Sequence, residues 1–449
     1  MSAKRLKWHW LLSLSLVYSC APAMTVDRGN PMVGGVAPEA SPRSAPSQAE
    51  ASALPDFTPL SADVIEELKA SGLIAAQNKF SWKFLANMYK QTPEKNMFFS
   101  PLSASLALQM VLKGARGETR EELLQGLFLQ DLSTEQLQNS KYLLQKLQRP
   151  AEDIQLTVAN SIWSSPSAPF LESYVKQVQQ DYDAEALTVN FRSPQAANQL
   201  NAWASQKTRG AIPQLYPPDQ AMVNEDTELL LNINALYFHA DWSRAFEREE
   251  TTPKPFYKED GTTVTVPMMR QFGRFAYRTP DDHFPHQSIV LPYGDTYNVA
   301  MYVFLPTTGQ TLSDLQRDLQ SVDFETLLSE FYGESGSFEL PRFELRQEFN
   351  LNNVLEAMGM TQLLGNPDLT GMTNVDGLSC NVRQLTYLKV NEEGTEAAAV
   401  TVVEASSEAS SEPLTTLSMR VDHPFVFLIR DQDTGQILFM GSITEPQAS

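Results

Sequence analysis

Cysteine is almost absent from this chain. Only Cys20 and Cys380 occur in 449 residues, which excludes a disulfide-stapled scaffold. Histidine is nearly as scarce. His9, His239, His283, His286 and His423 are scattered, and none falls at H-E-x-x-H or another metal-ligating interval. His283 and His286, within Asp281–His286 (DDHFPH), are the one close pair; a metal site is one reading of them and an ordinary loop the plainer one. Basic residues are few, 34 Lys and Arg against 54 Asp and Glu, a net charge of -20. Phosphate backbones and anionic membrane surfaces require clustered cations, so a nucleic-acid or basic membrane-surface role is excluded. Catalytic signatures are missing too. There is no G-x-S-x-G elbow, no phosphate-binding glycine loop and no C-x-x-C. Gly333–Ser337 (GESGS) has the wrong order and reads as a turn, and Lys113–Gly117 (KGARG) follows a helix where a phosphate loop follows a strand. Nothing points to an enzyme.

Long apolar runs are also lacking. Trp8–Val17 follows Lys4, Arg5 and Lys7 but is too short to span a bilayer, so residues 1–20 read as an export signal. It ends in Val17-Tyr18-Ser19-Cys20, which resembles a bacterial lipobox with Cys20 lipidated after cleavage. The alternative is ordinary secretion with cleavage after Ala23. Either route implies an extracytoplasmic protein, lipid-anchored at Cys20 or freely secreted. Residues 21–60 are rich in Pro, Ala, Ser and Gly with hardly any large apolar side chains, the composition of a disordered tether. Residues 61–449 then form the folded domain. Cys380 is left as a lone thiol, best read as a buried small hydrophobe.

What is present is a large apolar fraction, 42%, enough for a sizeable core. Ser61–Ala70 reads as a capped helix starting near Ser61 or Asp63, and Asn78–Tyr89 spaces Phe80, Phe84, Leu85 and Met88 at helical intervals. Ser103–Gly114 is a more apolar, central helix closed by its glycine. Leu229–Phe238 and Tyr297–Pro306 are buried strands. Val421–Arg430, Asp433–Gly435 and Ile437–Gly441 read as strand, tight turn and strand. Helices dominate the first half and strands the second, so the fold class is α+β.

These segments resemble the serpin family from about Asn78 to Pro446. Phe98–Ser103 (FFSPLS), Ala159–Trp163 (ANSIW), Asn201–Ile212 (NAWASQKTRGAI) and Asn234–Trp242 (NALYFHADW) occur in the family's order. Val266–Met269 (VPMM), Leu291–Tyr293 (LPY), Leu340–Phe343 (LPRF) and His423–Asp431 (HPFVFLIRD) complete the series. The resemblance implies three β-sheets, about eight or nine helices, and an exposed reactive loop near the C-terminus, about residues 392–416. It implies a cofactor-free, monomeric inhibitor whose partner is a target endopeptidase, trapped as a covalent acyl-enzyme when the cut loop inserts into the central sheet. A non-inhibitory serpin acting as a carrier or binding protein is the alternative.

Val390–Thr401 (VNEEGTEAAAVT) matches the family's hinge, here Glu392, Glu393, Gly394, Thr395, Glu396, Ala397, Ala398 and Ala399. An inserting strand must keep charge and proline off its inward positions. Counted from Thr395, these are Thr395, Ala397, Ala399, Thr401, Val403 and Ala405, all small or β-branched. Glu396 and Glu404 fall on the other parity. Gly394 is read as the pivot. The resemblance also places Trp242 near the top of the central sheet and Arg342 opposite Glu392. Ser100, Ser103 and Asn234 fall beneath the sheet's opening. The family's usual histidine in the strand before the hinge is replaced by Gln384 or a neighbour.

Between Lys389 and Arg420 there is no Lys, Arg or aromatic residue, which leaves trypsin-like and chymotrypsin-like pockets nothing to hold. Family spacing from Glu392 lands on Glu408, making Glu408–Ala409 the first-choice bond. Val403, Glu404, Ala405 and Leu414 remain alternatives because the EASS repeat and a long loop blur the register. Elastase-like, subtilisin-like and Glu-preferring endopeptidases are the classes expected.

Overall fold

The computed structural model describes residues 61–447 except 93–94, 149–152, 223–228, 297 and 396–416. Ser61 accepts a hydrogen bond from the Val64 amide and starts α1 (Ala62–Ala70), with Asp63 in its first turn. The chain continues through α2 (Leu73–Gln91), β1 (Met97–Phe99), α3 (Pro101–Gly114), α4 (Gly117–Gly126) and α5 (Thr134–Leu147). Next come β2 (Ile154–Ser164), α6 (Glu172–Tyr182), β3 (Glu185–Thr188), α7 (Gln195–Lys207) and β4 (Leu229–Asp241). The strand-rich part holds β5 (Thr252–Tyr257), β6 (Thr263–Arg278), β7 (His286–Tyr293) and β8 (Val299–Pro306). It is followed by α8 (Leu312–Ser321), α9 (Phe324–Ser329), β9 (Tyr332–Pro341), β10 (Phe343–Asn350), α10 (Asn352–Ala357) and α11 (Thr361–Leu364). The last strands are β11 (Ser379–Val390), β12 (Gly394–Thr395), β13 (Leu417–Arg420), β14 (Phe425–Asp431) and β15 (Ile437–Ile443).

The described residues hold eleven α-helices, more than the eight or nine implied; α9, α10 and α11 are only six, six and four residues long. They hold two hydrogen-bonded sheets where three were implied. One strand explains the difference. β6 pairs β9 from Met268 to Tyr277 and β7 from Ala276 to Arg278, fusing two smaller sheets into one nine-stranded path. The six-stranded sheet runs β10-β11-β12-β4-β2-β3, with β11 and β4 also paired directly. α3 is buried along nearly its whole length, as its composition required.

Two sequence readings need correction. Gly333–Ser337 is not a turn but part of β9. Gly336 is small because a side chain there would collide with the Leu417 carbonyl of the neighbouring strand. The strand expected from Val421 begins only at Phe425, since Pro424 has no N–H to give a ladder. The turn that follows is as read: Gly435 has φ 79°, and Asp431 accepts from the Thr434 amide at 2.9 Å. Cys380 lies buried in β11, where loss of solvation pushes its thiol up to about 12, and so it is an inert apolar filler.

Candidate functional site

β4 and β11 are parallel neighbours at the centre of the six-stranded sheet, paired over nine register positions from Leu229↔Ser379 to Tyr237↔Tyr387. Above Tyr237 they part, and β12 sits between them. The turn that puts it there is written locally as Asn-Glu-Glu-Gly. Asn391 accepts from the amides of Glu393 and Gly394, both at 3.1 Å, and its own amide bonds the Gly394 carbonyl at 2.9 Å. The reversed chain pairs antiparallel with both neighbours, Thr395 opposite Val390 on one side and Ala240 on the other. Only parallel flanking strands allow one returning strand to be antiparallel to both.

Gly394 and Thr395 are thus already part of the sheet. Thr395 is fully buried, and its hydroxyl lies 2.8 Å from the Tyr293 hydroxyl. Burial pushes the Tyr293 phenol well above its ordinary range, so it stays protonated and available as a donor. Gly394 also has a different reason from the one read in sequence. Its φ is not left-handed; a Cβ there would lie 2.1 Å from the Ala240 carbonyl oxygen. It is glycine because the backbone of β4 closes on it.

Four side chains hold the root of this wedge. Trp242 stacks on Tyr293 at 4.4 Å, its ring nitrogen donating to the Asn391 carbonyl at 2.9 Å and its amide to Glu393 at 2.8 Å. Arg342 donates from Nε to Glu392 Oε1 at 2.7 Å and again from Nη2. Thr251 donates to the same oxygen, and Arg248 reaches the Glu393 carboxylate. Glu392 is only 2% exposed, so these donors replace the water its carboxylate gave up. Tyr293, Asn391, Thr251 and Arg248 were not anticipated. Asn391 and Gly394 carried a turn signal that could have been read.

Beneath the β4–β11 pair lies a polar layer. Gln384 makes two bonds with one residue of β1's exit: its Oε1 accepts from the Ser100 amide at 2.9 Å and its Nε2 donates to the Ser100 carbonyl at 2.8 Å. Gln384 Nε2 also lies 3.4 Å from Asn234 Oδ1, and Asn234 donates to Asn160 Oδ1 at 2.5 Å. Ser100 donates to the Leu438 carbonyl at 2.6 Å, and Thr386 to the Phe98 carbonyl at 2.7 Å. Ser103 Oγ, Asn160 Nδ2 and Asn232 Oδ1 are buried and find no protein partner among the described residues. Gln384 thus uses its side-chain amide both as donor and as acceptor.

Glu396, Ala397, Ala398, Ala399, Val403, Glu404, Ala405, Glu408, Ala409, Leu414 and Cys20 lie outside the described residues. The two close histidines part company. His286 is buried with Nε2 2.9 Å from Asp318 Oδ2, while His283 is exposed. Among the described residues no cluster of three His, Cys, Asp or Glu could hold a metal, and no helix is long and apolar enough to cross a membrane.

A six-stranded sheet whose two parallel central strands part at one end around a two-residue antiparallel strand defines a class of fold. The family comparison gives that class its name. A family model for serpin (serine protease inhibitor) matches residues 75–446. The chain is 32% identical over 391 residues to an uncharacterized serpin-like protein of Thermococcus kodakarensis, covering 86% of this chain and 88% of that one. It is 32% identical over 387 residues to the leukocyte elastase inhibitor of Xenopus laevis, covering 83% and 99%. Among solved structures, human thyroxine-binding globulin with its bound hormone superposes at a TM-score of 0.74 and 25% identity, covering 85% and 100%. This chain belongs to the serpin family, a family of protease inhibitors whose members are not themselves catalysts.

Proposed function

We propose that this chain is an irreversible suicide-substrate inhibitor of extracytoplasmic serine endopeptidases, with cysteine endopeptidases as a secondary class. The observation that carries the reading is the wedge itself: Gly394–Thr395 already occupies the gap between parallel β4 and β11. Attack by a target's nucleophile on the loop forms an acyl-enzyme and releases the new amino terminus. The remaining loop then zips down the gap, displacing the nine β4–β11 pairs over about 30 Å. Dragging the acylated enzyme that far distorts its oxyanion hole, and loss of one such donor alone slows deacylation about 10²–10³-fold.

Continuing the register from Thr395↔Ala240 supports a cleavage site. It sets Thr401 opposite Asn234 and Val403 opposite Asn232, both inward above the polar layer, and turns Glu396 and Glu404 outward. Ser406 then meets Leu229, the first residue of β4, so Glu408 travels just past the strand's end. Glu408–Ala409 is accordingly the proposed reactive bond, with Val403, Glu404, Ala405 and Leu414 as alternatives. Elastase-like, subtilisin-like or Glu-preferring enzymes are the proposed targets. Residues 1–20 are proposed as the export signal and 21–60 as the tether. Cys20 is proposed as the lipid anchor; Cys20→Ala should then release the protein from the membrane fraction of a bacterial host. Finding the wild type wholly free outside the cell favours cleavage after Ala23.

The decisive experiment incubates the protein with an endopeptidase panel, looks for complexes that survive boiling in detergent, and sequences the released C-terminal peptide. A covalent complex and a peptide beginning at Ala409 are the expected results. Rapid trapping of trypsin would overturn the specificity. Cleavage without any complex favours the second reading, a carrier protein, which the likeness to thyroxine-binding globulin motivates.

A further inference from the structure

Helices α3, α4, α5 and α6 meet around a hollow of about 190 Å³. Leu112 and Leu137 give it apolar wall, and Lys113, Arg116 and Arg120 bring three cations to it. The local sequence crowds these charges together. Lys113 closes the last turn of α3, Arg116 is the residue from which α4 starts, and Arg120 stands one helical turn further on. Thr134, the first residue of the fourteen-residue α5, lines the same hollow, so the electropositive end of that helix adds to them.

Most of this charge is not spent on the fold. Lys113 pairs with Asp181 at 2.8 Å, but among the described residues no carboxylate pairs with Arg116 or Arg120. The Arg116 guanidinium is held in place by carbonyls, donating to Ala115 at 2.8 Å and to Lys113 at 3.2 Å. Asp368 feels it only from beyond ion-pair distance: its carboxyl is held low by Thr370 first and by Arg116 last. In a chain of net charge -20, arginines one turn apart without a carboxylate are an anomaly. Tyr182 closes the hollow from α6. It is 2% exposed, yet its hydroxyl has no hydrogen-bond partner among the described residues. Buried tyrosine hydroxyls usually find one. Tyr174, about two turns earlier on the same helix, donates to the Met110 carbonyl at 3.1 Å. Loss of solvation, and then the Asp181 charge, push the Tyr182 phenol far above its ordinary range, so it stays protonated and is a donor.

A buried donor, unpaired guanidiniums and two leucines around one small hollow describe a ligand with an anionic head and a short apolar body. We propose that the hollow binds a small organic anion, a phosphate monoester or carboxylate of about ten non-hydrogen atoms. Arg116 and Arg120 take its head, Tyr182 donates to it, and Leu112 and Leu137 pack on its body. Such a ligand ties four helices together. It binds the folded chain alone, so it raises the melting temperature in step with its concentration. The site does not involve the loop and stands apart from the inhibitor reading.

The test is isothermal titration calorimetry on the full-length protein, with phenyl phosphate, benzoate, inorganic phosphate and phenol as probes. Phenyl phosphate or benzoate should bind saturably, weaken as salt is added and lift the melting temperature; the tighter of the two identifies the head. Inorganic phosphate, which has no apolar body, should bind about tenfold more weakly than that probe, and uncharged phenol should not bind. Arg120→Gln and Tyr182→Phe break no side-chain hydrogen bond or ion pair among the described residues, and each should weaken binding about tenfold. Arg346→Gln, on β10, should leave it unchanged. A folded wild type that binds neither phenyl phosphate nor benzoate overturns the site, and so does binding that Arg120→Gln and Tyr182→Phe leave intact. Inorganic phosphate binding as tightly as the better organic probe overturns the apolar half of the proposal.

Discussion

The two sheets of this molecule are held together by different physics. In the nine-stranded sheet, β8, β14 and β15 are buried at every residue and almost wholly apolar, with Phe98 stacked against Phe427 and Phe439. In the six-stranded sheet, β4 and β11 rest on Asn232, Asn234, Gln384 and Thr386, with Asn160, Ser100 and Ser103 beneath, all buried. Close-packed apolar surfaces lose contact energy as soon as they part, so the first sheet has one arrangement. A layer of amides and hydroxyls can exchange partners, and three of its atoms find no protein partner among the described residues. A seam lined with amides and hydroxyls, unlike an apolar one, thus has groups that a new strand could pair again, as the proposed insertion requires.

The largest effect that this comparison predicts is on filling the seam. Cleaving the loop of the wild type should raise its melting temperature by an amount on the order of 20 °C. The estimate takes ten or so new strand residues with net hydrogen-bond gains of about 1 kcal/mol each and a melting shift of about 2 °C per kcal/mol. Differential scanning calorimetry before and after limited proteolysis measures it. An unchanged melting temperature would mean that the seam does not open and that the contrast between the sheets is only compositional.

Next in size is Thr395→Arg. Because Thr395 is already buried against Tyr293, the substitution acts on the native protein as well as on insertion. An unpaired charge in this position costs several kcal/mol, so the wedge should be expelled. The variant should be cut as a substrate with little covalent complex, and cleavage should raise its melting temperature much less. Glu396→Arg, one residue along on the outward parity, should inhibit nearly as well as wild type. Equal inhibition by both variants on a detergent gel would sink the parity argument.

How far the sequence foretold these regions follows the same divide. The apolar strands announce themselves by composition, although β8 begins at Val299 where the reading starts it at 297, and Pro424 delays the start of β14. The Arg342–Glu392 contact was legible because the two charges fall in motifs of fixed family order. Insertion of Gly394–Thr395 was not legible, since small side chains read alike in a sheet and out of it. What decides it is tertiary: the Tyr293 hydroxyl, the close approach of Ala240, and the Asn391 turn. The hidden fusion of two sheets through β6 escaped for a similar reason, since pairing partners are set by the whole fold.

A pair of substitutions of moderate effect sharpens the comparison. Leu428→Ala in β14 removes fully buried methyls, and should lower stability by about 2–5 kcal/mol in native and cleaved forms alike. Gln384→Leu leaves the Ser100 amide and carbonyl without their partner, at a cost of about 1–3 kcal/mol each in the native form. The new strand rearranges that layer, so Gln384→Leu should change the gap between native and cleaved melting temperatures, whereas Leu428→Ala should not. The same shift in both forms for both variants would show that the polar layer is as fixed as the apolar one.

The smallest effect concerns pH. The seam's polar layer contains Asn, Gln, Ser and Thr but no group that titrates near neutrality, and His239 of β4 lies on the opposite face of that strand from Asn234. The gain on cleavage should therefore be flat from about pH 5 to 8. The nine-stranded sheet, in contrast, carries two histidines on either side of Pro306. His286 pairs with it across β7 and β8, and His423 Nε2 bonds its carbonyl at 2.8 Å. Burial holds His286 below its ordinary pKa, against the pull of Asp318 and Asp314 and with the help of Arg317. Its protonation favours the unfolded chain, so its contribution is present above the unfolded value of about 6.5 and is lost as pH falls through the folded one. His423 behaves in the opposite way. Burial works to lower its pKa, but the Asp422 carboxylate and Pro306 carbonyl, with Glu259, outweigh it and raise it. Its contribution is complete below about 6.5 and is lost as pH rises through the raised value. Denaturant midpoints against pH should thus lose their acid-side fall in His286→Gln and their alkaline-side fall in His423→Gln. The native-to-cleaved gap should stay level in both. A gap that still varies with pH in the double variant would place a titrating group under the seam, where the structure has only amides and hydroxyls.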